Sequence, residues 1–494
     1  MFCLSDNKKV SRRRFLKYGA GVVGAAVIAG AGYEAYQMST TPSAMSTTTS
    51  SMSAATSSMS AATSSTVSLP SGYSATVVGG PGIDYYYDPA LKGTTISFLA
   101  ANVPEITQCL AMLPQFEAET GIIVNAIVEG EDDVEAKAGL EFAAKSSTYD
   151  IFHASGFGSF AYSWFDAGFI DALNPYIANT PTGWNENDIL PPVLANCGYG
   201  GSLSSLPLVT TDYPLFYRTD LMNEPAKTLD DFLADAGKFF TPPNLYGWTS
   251  GGTPDIFSFF TWEMFLWAYG GLLFDENFHP QLNTNAGYNA TKLLIAMSKY
   301  APSFTTTDAV GAATLFAQAR VAQCTSFGSN WGTTIDAPTS KVNTTSAYAP
   351  HPGSVSEPHM LAGITMAINT FSKNKNAAWS FISWATSPRA QQEMVNIGMG
   401  GTIRQSVGTS SQTSNVDPFA AEQASWLIGA GTAGSGAAKI GCAILPPMPR
   451  VGDFSAIVVK NLAEALVGSV SYTQAMDNAQ QQATALMQQI GIYK

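Results

Sequence analysis

The apolar positions of this chain change their period several times after residue 94. Thr95-Ile-Ser-Phe-Leu-Ala100 is a β-prone run. Ile106, Cys109, Leu110, Leu113 and Phe116 then recur at helical spacing, and Gly121 stands where a helix would end in a left-handed residue. Ile122 to Val128 is β-rich again. Strand, helix, strand in this order predicts parallel strands joined by a right-handed crossover. Further on, Tyr149 to Phe152 reads as a short strand. It runs into a loop, His153 to Ser159, and then a helix ending near Gly168. Leu206 to Thr210 and Pro214 to Tyr217 look extended. Thr228-Leu-Asp-Asp231 resembles a capping box with Asp in place of Glu, before Phe232, Leu233 and Ala236. Ile256 to Tyr269 is apolar and aromatic, and Gly270-Gly271 ends it. Tyr472, Ala475, Met476, Ala479, Ala483, Leu486, Met487 and Ile490 trace one face of a last helix. Strands alternating with helices predict an α/β protein.

The first 70 residues follow other rules. A basic cluster (Lys8, Lys9, Arg12, Arg13, Arg14, Lys17) precedes an uncharged run, Gly19 to Gly32. That run is shorter than the roughly 20 residues a spanning helix needs. The order is that of an export signal. Ser11-Arg-Arg-Arg-Phe-Leu-Lys17 resembles the twin-arginine export motif, which implies export of an already folded chain. Residues 1–38 are therefore read as a signal or N-terminal anchor. Residues 39–70 are Ser/Thr-rich, with the heptad SSMSAAT at 50–56 and again at 57–63. Such a segment has no apolar face to bury and is expected to be a disordered linker.

Composition narrows the function. The chain is 46% hydrophobic, enough for sizeable cores, and its length beyond the linker suggests two lobes. Charged residues are 12%, about half the usual share. The net charge is −13 although the N-terminal segment is basic, so nucleic acid and anionic lipid are poor partners. Cys109, Cys197, Cys324 and Cys442 lie far apart without a C-x-x-C; buried free thiols or disulfides both fit. Asn289-Ala-Thr291 and Asn343-Thr-Thr345 are glycosylation sequons. Gly19, Gly21 and Gly24 spell G-x-G-x-x-G without a preceding strand. Gly429, Gly431 and Gly434 repeat the spelling and are expected in a small-residue loop. His351, Glu357 and His359 lie within an irregular Pro-flanked stretch where a metal is a minor alternative. H-E-x-x-H, G-x-S-x-G and P-loop patterns do not occur, so no cofactor, no metal and no enzymatic activity are expected.

The order of motifs from residue 92 to 494 resembles the family 1 extracellular solute-binding proteins of ABC importers, which include maltose-binding proteins. The likeness is carried by FEAETGIIV (Phe116 to Val124), YDIFHASGFGSFAYSWFDAGFIDALNPYI (Tyr149 to Ile177) and LPLVTTDYPLFYRTDLM (Leu206 to Met222). It continues in AKTLDDFLADAGKF, with Leu229 for the usual Trp, and in FAQARVAQCTSFGSNW, with Ala319 for a Gly. LAGITMAINTFSKNKNAAWSFISWATSP completes it, with Ala362 for one of two glycines. The resemblance implies a periplasmic-binding-protein-like fold of two α/β lobes joined by several crossing strands, of the maltose-binding type. Crossings would fall near 210–214, 361–366 and 401–406. Lobe one would be 92–210 plus 365–402, and lobe two 213–362 plus 405–494. The implied protein is a monomer at the cell surface or in the periplasm, touching the membrane only through its N-terminal segment. It would close on a small molecule, a sugar above all, and deliver it to ABC permease subunits.

A sugar presents hydroxyls and C–H faces, so its site needs planar polar groups and aromatic rings. The resemblance brings several such residues to the cleft: Asn102 and Glu105 after the first strand, His153, Ser155 and Phe157 in the next loop, and Asp212 and Tyr213 at the first crossing. Phe259 and Trp262 stand where a stacking ring is often found, although an aromatic stretch is mostly core. Asn330 and Trp331 offer an amide and a ring. Gly363 would bring backbone near ligand, and Arg404 would hold a hydroxyl or an anion, or form an interlobe salt bridge. The alternatives are an exported glycoside hydrolase, which needs two facing carboxylates about 5 to 9 Å apart, or a binder of a polyamine, metal chelate or phosphate ester. A cell-surface structural protein fits poorly with a long α/β region lacking repeats.

Overall fold

The computed structural model describes residues 83–154, 159–199, 202–275, 277–355, 357–432 and 448–491. The signal, the Ser/Thr linker, Ser155, Phe157, Gly434 and Cys442 lie outside the described residues.

The predicted opening unit is present. Strands β1 (Thr95–Ala101) and β2 (Ile123–Glu129) pair in parallel, from Thr95↔Ile123 to Ala101↔Glu129. Two helices, not one, connect them: α1 (Pro104–Ala111) and α2 (Leu113–Thr120). The periodicity runs through both, but Pro114 lies in the first turn of α2. It has no N–H to continue the ladder of α1, so the helix breaks at Met112. Gly121 ends α2 with φ +70° and its N–H on the Glu117 carbonyl, a backbone conformation that glycine adopts without strain.

Helix α3 (Glu131–Ala144), strand β3 (Ile151–Ala154) and helix α4 (Ser159–Asp166) follow, then strand β4 (Leu206–Thr211). The chain crosses at Asp212 into strand β5 (Leu215–Arg218). Helix α5 (Leu229–Lys238) starts as its capping pattern predicts. The Thr228 hydroxyl accepts the Asp231 N–H (3.1 Å) and donates to the Asp231 carboxylate (2.8 Å). Helix α6 (Ile256–Ala268) is mostly apolar on every face, and every residue from Ser258 to Ala268 is buried. Helix α7 (Asn285–Ser298), strand β6 (Gln323–Thr325) and strand β7 (Ser346–Ala349) complete this part. The chain then returns as strand β8 (Ala362–Ile368), followed by α8 (Lys375–Ala385) and α9 (Pro388–Asn396). Helices α10 (Pro418–Thr432), α11 (Val451–Leu466) and α12 (Tyr472–Ile490) close it. Ala475, Met476, Ala479, Ala483, Leu486 and Met487 of α12 are buried as their spacing predicts. Gly429 and Gly431 fall inside α10 rather than in a loop.

The two larger sheets fall one in each lobe, and a two-stranded ribbon pairs Gly198–Tyr199 with Ser202–Leu203. The first has the order β2-β1-β3-β8-β4, with β8 antiparallel to both neighbours. The second has the order β6-β5-β7, all antiparallel. The first is covered by α8, where Phe381 meets Phe98 (5.8 Å between ring centres) and Phe116 (5.3 Å). Burying each such ring contributes about 1.5–3 kcal/mol. Cys109, Cys197 and Cys324 are buried free thiols; burial pushes the Cys109 thiol up to about 12 and raises the other two. Among the described residues no helix is long and apolar enough to cross a membrane.

Candidate functional site

Sheet direction decides which residues can meet a ligand. Strands β1 and β3 run parallel, and β4 runs with them because β8 is antiparallel to both β3 and β4. Their carboxyl ends therefore share one edge, where open α/β sheets bind ligands. Asn102 follows β1 at that edge with an exposed side chain, its N–H donating to the Glu129 carbonyl (2.8 Å). Asp212 follows β4, and Gly363 at the start of β8 faces Thr210 across the ladder. In the second sheet Leu215 of β5 pairs with both Thr325 and Ala349, so the ends of β6 and β7 lie beside the start of β5, next to the crossing. Ser326 to Trp331 continue from β6 there.

The centre of this region is a buried polar junction built on Asp212. Its Oδ1 accepts the N–H groups of Tyr213 (2.7 Å) and Met360 (2.7 Å). Its Oδ2 lies 2.6 Å from Nδ1 of His359. One carboxylate thus ties the β4–β5 passage to the passage entering β8. Burial pulls the His359 pKa down, but the Asp212 carboxylate outweighs it and the net direction is up. Gln423, from α10, adds the third passage. Its Oε1 accepts the Asp212 N–H (2.9 Å) and its Nε2 donates to the Gly400 carbonyl (3.1 Å). Gly328 donates to the Asp212 carbonyl (2.9 Å), and Ser329 donates to the Thr211 hydroxyl (3.0 Å). A Cβ at Gly328 would come within 2.1 Å of Gln423 Oε1, so the close approach requires glycine. Trp426, one turn beyond Gln423, packs on the His359 ring with centres 6.1 Å apart.

The remaining candidates divide. Asn330 is buried; its Nδ2 donates to Ser326 Oγ (3.1 Å), and its Oδ1 has no partner among the described residues. Trp331 is half-buried, with Tyr348 (4.8 Å) and Phe216 (5.8 Å) against its ring. Glu105 is buried in the first turn of α1, and His153 is buried on β3, where desolvation lowers its pKa to about 4.

Four residues are not where a ligand would reach them. Tyr213 is fully buried, its hydroxyl 3.1 Å from Ser250 Oγ and its ring against Phe327. Phe259 and Trp262 have no exposed surface, and Trp262 Nε1 donates to Thr291 on α7 (2.9 Å). They are core because α6 is enclosed on every side. Arg404 is also fully buried. Its Nε donates to the Thr386 carbonyl (2.7 Å), its Nη1 to the Asn185 carbonyl (2.6 Å), and it lies over the Trp184 ring (4.7 Å). Burial lowers its pKa to about 10. Carbonyls and a ring hold it inside the fold, so it does not bridge the lobes through a carboxylate.

Sequence reading missed His359 and Gln423. His359 was visible only as part of a metal alternative, whereas its ring serves Asp212. Gln423 sits in a stretch without a motif; its signal is the face it shares with Phe419 and Trp426 at i, i+4 and i+7 spacing. Among the described residues no three metal-ligating side chains come together.

Comparison with known proteins agrees with this architecture. A ribitol complex of an ABC transporter solute-binding protein from Agrobacterium radiobacter K84 matches with TM-score 0.72 and 22% identity, over 80% of this chain and 99% of that one. A mannitol-bound solute-binding protein from Agrobacterium vitis S4 matches with TM-score 0.71 and 20% identity, over 81% and 99%. The maltose-bound MalE3 of T. maritima matches with TM-score 0.69 and 19% identity, over 80% and 100%. No curated protein matches the chain. The family model described as bacterial extracellular solute-binding protein matches residues 100–392, more than half of the sequence. The chain belongs to the bacterial extracellular solute-binding protein family.

Proposed function

We propose that this protein captures a sugar or sugar alcohol outside the cell and delivers it to the permease of an ABC importer. The observation that carries the reading is the shared edge. Asn102 follows β1 at that edge, and Gly363, Asn330 and Trp331 stand beside the Asp212 junction at the crossing. Amides and a ring suit hydroxyls and C–H faces. Solved structures of similar chains with ribitol, mannitol and maltose bound support the ligand class. In this reading lobe one (92–210 plus 365–402) and lobe two (213–362 plus 405–494) close on the ligand, with the junction as pivot. The protein acts as a monomeric binder and not as an enzyme, with residues 1–38 as signal or anchor and 39–70 as tether.

Each hydrogen bond contributes about 1 kcal/mol net, and an affinity near 1 μM needs about 8 kcal/mol, within reach of several polar groups and one ring. Tryptophan fluorescence of the purified protein, titrated with ribitol, mannitol and maltose, tests the reading. A saturable change at micromolar ligand, with the ligand recovered intact, is expected. Silence toward every sugar and polyol, with a response to a polyamine or phosphate ester, would overturn the ligand class. Consumption of an oligosaccharide would make the protein a hydrolase.

A further inference from the structure

The two sequons read alike in sequence, and the fold separates them. Asn289 is exposed on α7, but Thr291, whose hydroxyl a glycosyl transferase must meet, is fully buried. That hydroxyl donates to the Gly287 carbonyl (2.8 Å) and accepts Trp262 Nε1 (2.9 Å). Drawing it out would open α7 and leave a buried indole N–H unpaired. The second sequon has the opposite setting. Asn343 and Thr344 are the central residues of a β-turn closed by the Thr345 N–H on the Val342 carbonyl (2.9 Å). Thr344 is exposed, Asn343 and Thr345 are partly exposed, and among the described residues the hydroxyl of Thr345 makes no hydrogen bond. Surface turns are where such acceptors are used.

We propose that Asn343 is an N-glycosylation site and that Asn289 stays bare. The inference rests on the export reading. The motif at Ser11 to Lys17 resembles a signal for folded cargo, so the transferase would meet a finished fold in which Thr291 is already enclosed. The donor is an oligosaccharide linked to a lipid pyrophosphate. Asn343 Nδ2 forms a bond to the sugar C1 and loses one proton to the transferase base. The bond from C1 to the pyrophosphate oxygen breaks, and the lipid pyrophosphate leaves with the electron pair. The site leaves the junction free. The turn leads into β7 beside Arg218↔Ser346, the pair at the end of the sheet away from Leu215↔Ala349. Four strand residues separate it from the crossing by about 13 Å.

Glycopeptide mass spectrometry of the full chain isolated from its own cells tests this, with surface exposure scored by protease shaving of intact cells. A glycan on the Asn343 peptide, absent in Asn343→Gln and Thr345→Val, with Asn289 unmodified, is the expected result. A glycan on Asn289, or a bare Asn343 on protein found at the surface, overturns the site while leaving export intact. Protein found only inside the cell with Asn343 bare overturns both.

Discussion

Asp212 and Glu263 are both carboxyls with almost no exposure, 1% and 0%, and the fold treats them in opposite ways. At the junction, two N–H groups and an imidazole meet the oxygens of Asp212. In the middle of α6 neither oxygen of Glu263 has a partner among the described residues, and burial raises its pKa well above the carboxylate range. Donors stand in for water around one carboxyl, and without them burial favours the protonated form of the other. The donors around Asp212 come from passages between the lobes. Glu263 sits inside one lobe. Changes at the junction are therefore expected to move ligand affinity together with stability, and changes inside the lobe to move stability alone.

Asp212→Ala is the strongest test. It strands the N–H groups of Tyr213 and Met360 and a buried His359, and a loss of about 3–5 kcal/mol is expected. Asp212→Asn, which keeps an acceptor, is expected to lose less stability yet still weaken ligand binding. Urea unfolding and titration of the same samples check both; unchanged affinity in a folded Asp212→Asn would break the comparison.

His351 gives the next largest effect, and only in acid. It is buried beside Phe232 and Phe265, and desolvation lowers its pKa from 6.5 to about 4. A depressed pKa gives stability that is complete above 6.5 and is lost as pH falls from 6.5 toward 4. The loss is about 3 kcal/mol. His351→Phe is expected to be less stable than the parent at pH 7, where the bond from Nδ1 to Pro352 is missing, and to close that gap at pH 4. Thermal melts across this range check it.

Glu263 has the opposite sign. Its raised pKa gives stability that is complete below 4.5 and is lost as pH rises. Glu263→Met is expected to gain about 1–3 kcal/mol at pH 7. The gain should shrink at pH 4, and ligand affinity should not change. Equal gains at both pH values would mean that the carboxyl is ionised after all.

The strand and helix order was legible because period and punctuation are local. Gly121, Thr228 and the face of α12 each act within a few residues of themselves. The break at Met112 was legible too, in Pro114, but the apolar spacing continues through it. The site was legible only as far as sheet edges go. Asn102, Asp212, Asn330 and Trp331 follow strands, so their positions depend on strand order alone. Phe259, Trp262 and Tyr213 were misplaced because their burial depends on α7 and the β6–β7 region, far away in sequence. Arg404 was misplaced because its partners are carbonyls of residues 185 and 386, which no side-chain pattern announces.

The smallest effect concerns a departure that the sequence itself displays. Ala319 stands where the family resemblance expects glycine, and the structure holds it at φ +60°, after the helix Ala309–Ala317. Its N–H caps that helix on the Phe316 carbonyl (2.8 Å), so the left-handed conformation is fixed by a bond and not free to relax. Such a conformation costs a residue with a Cβ about 1–2 kcal/mol, and glycine avoids it. Glycine also loosens the unfolded chain, which returns about 0.4–1 kcal/mol of the gain. Ala319→Gly is therefore expected to stabilise by at most about 1.6 kcal/mol. The residue lies on the strand β6 side of lobe two and outside the junction. Its ligand affinity should match the parent within error, as for Glu263→Met and unlike Asp212→Asn. An affinity change from this substitution would mean that strain inside the lobe reaches the hinge, and the division between the two regions would fail at its weakest point.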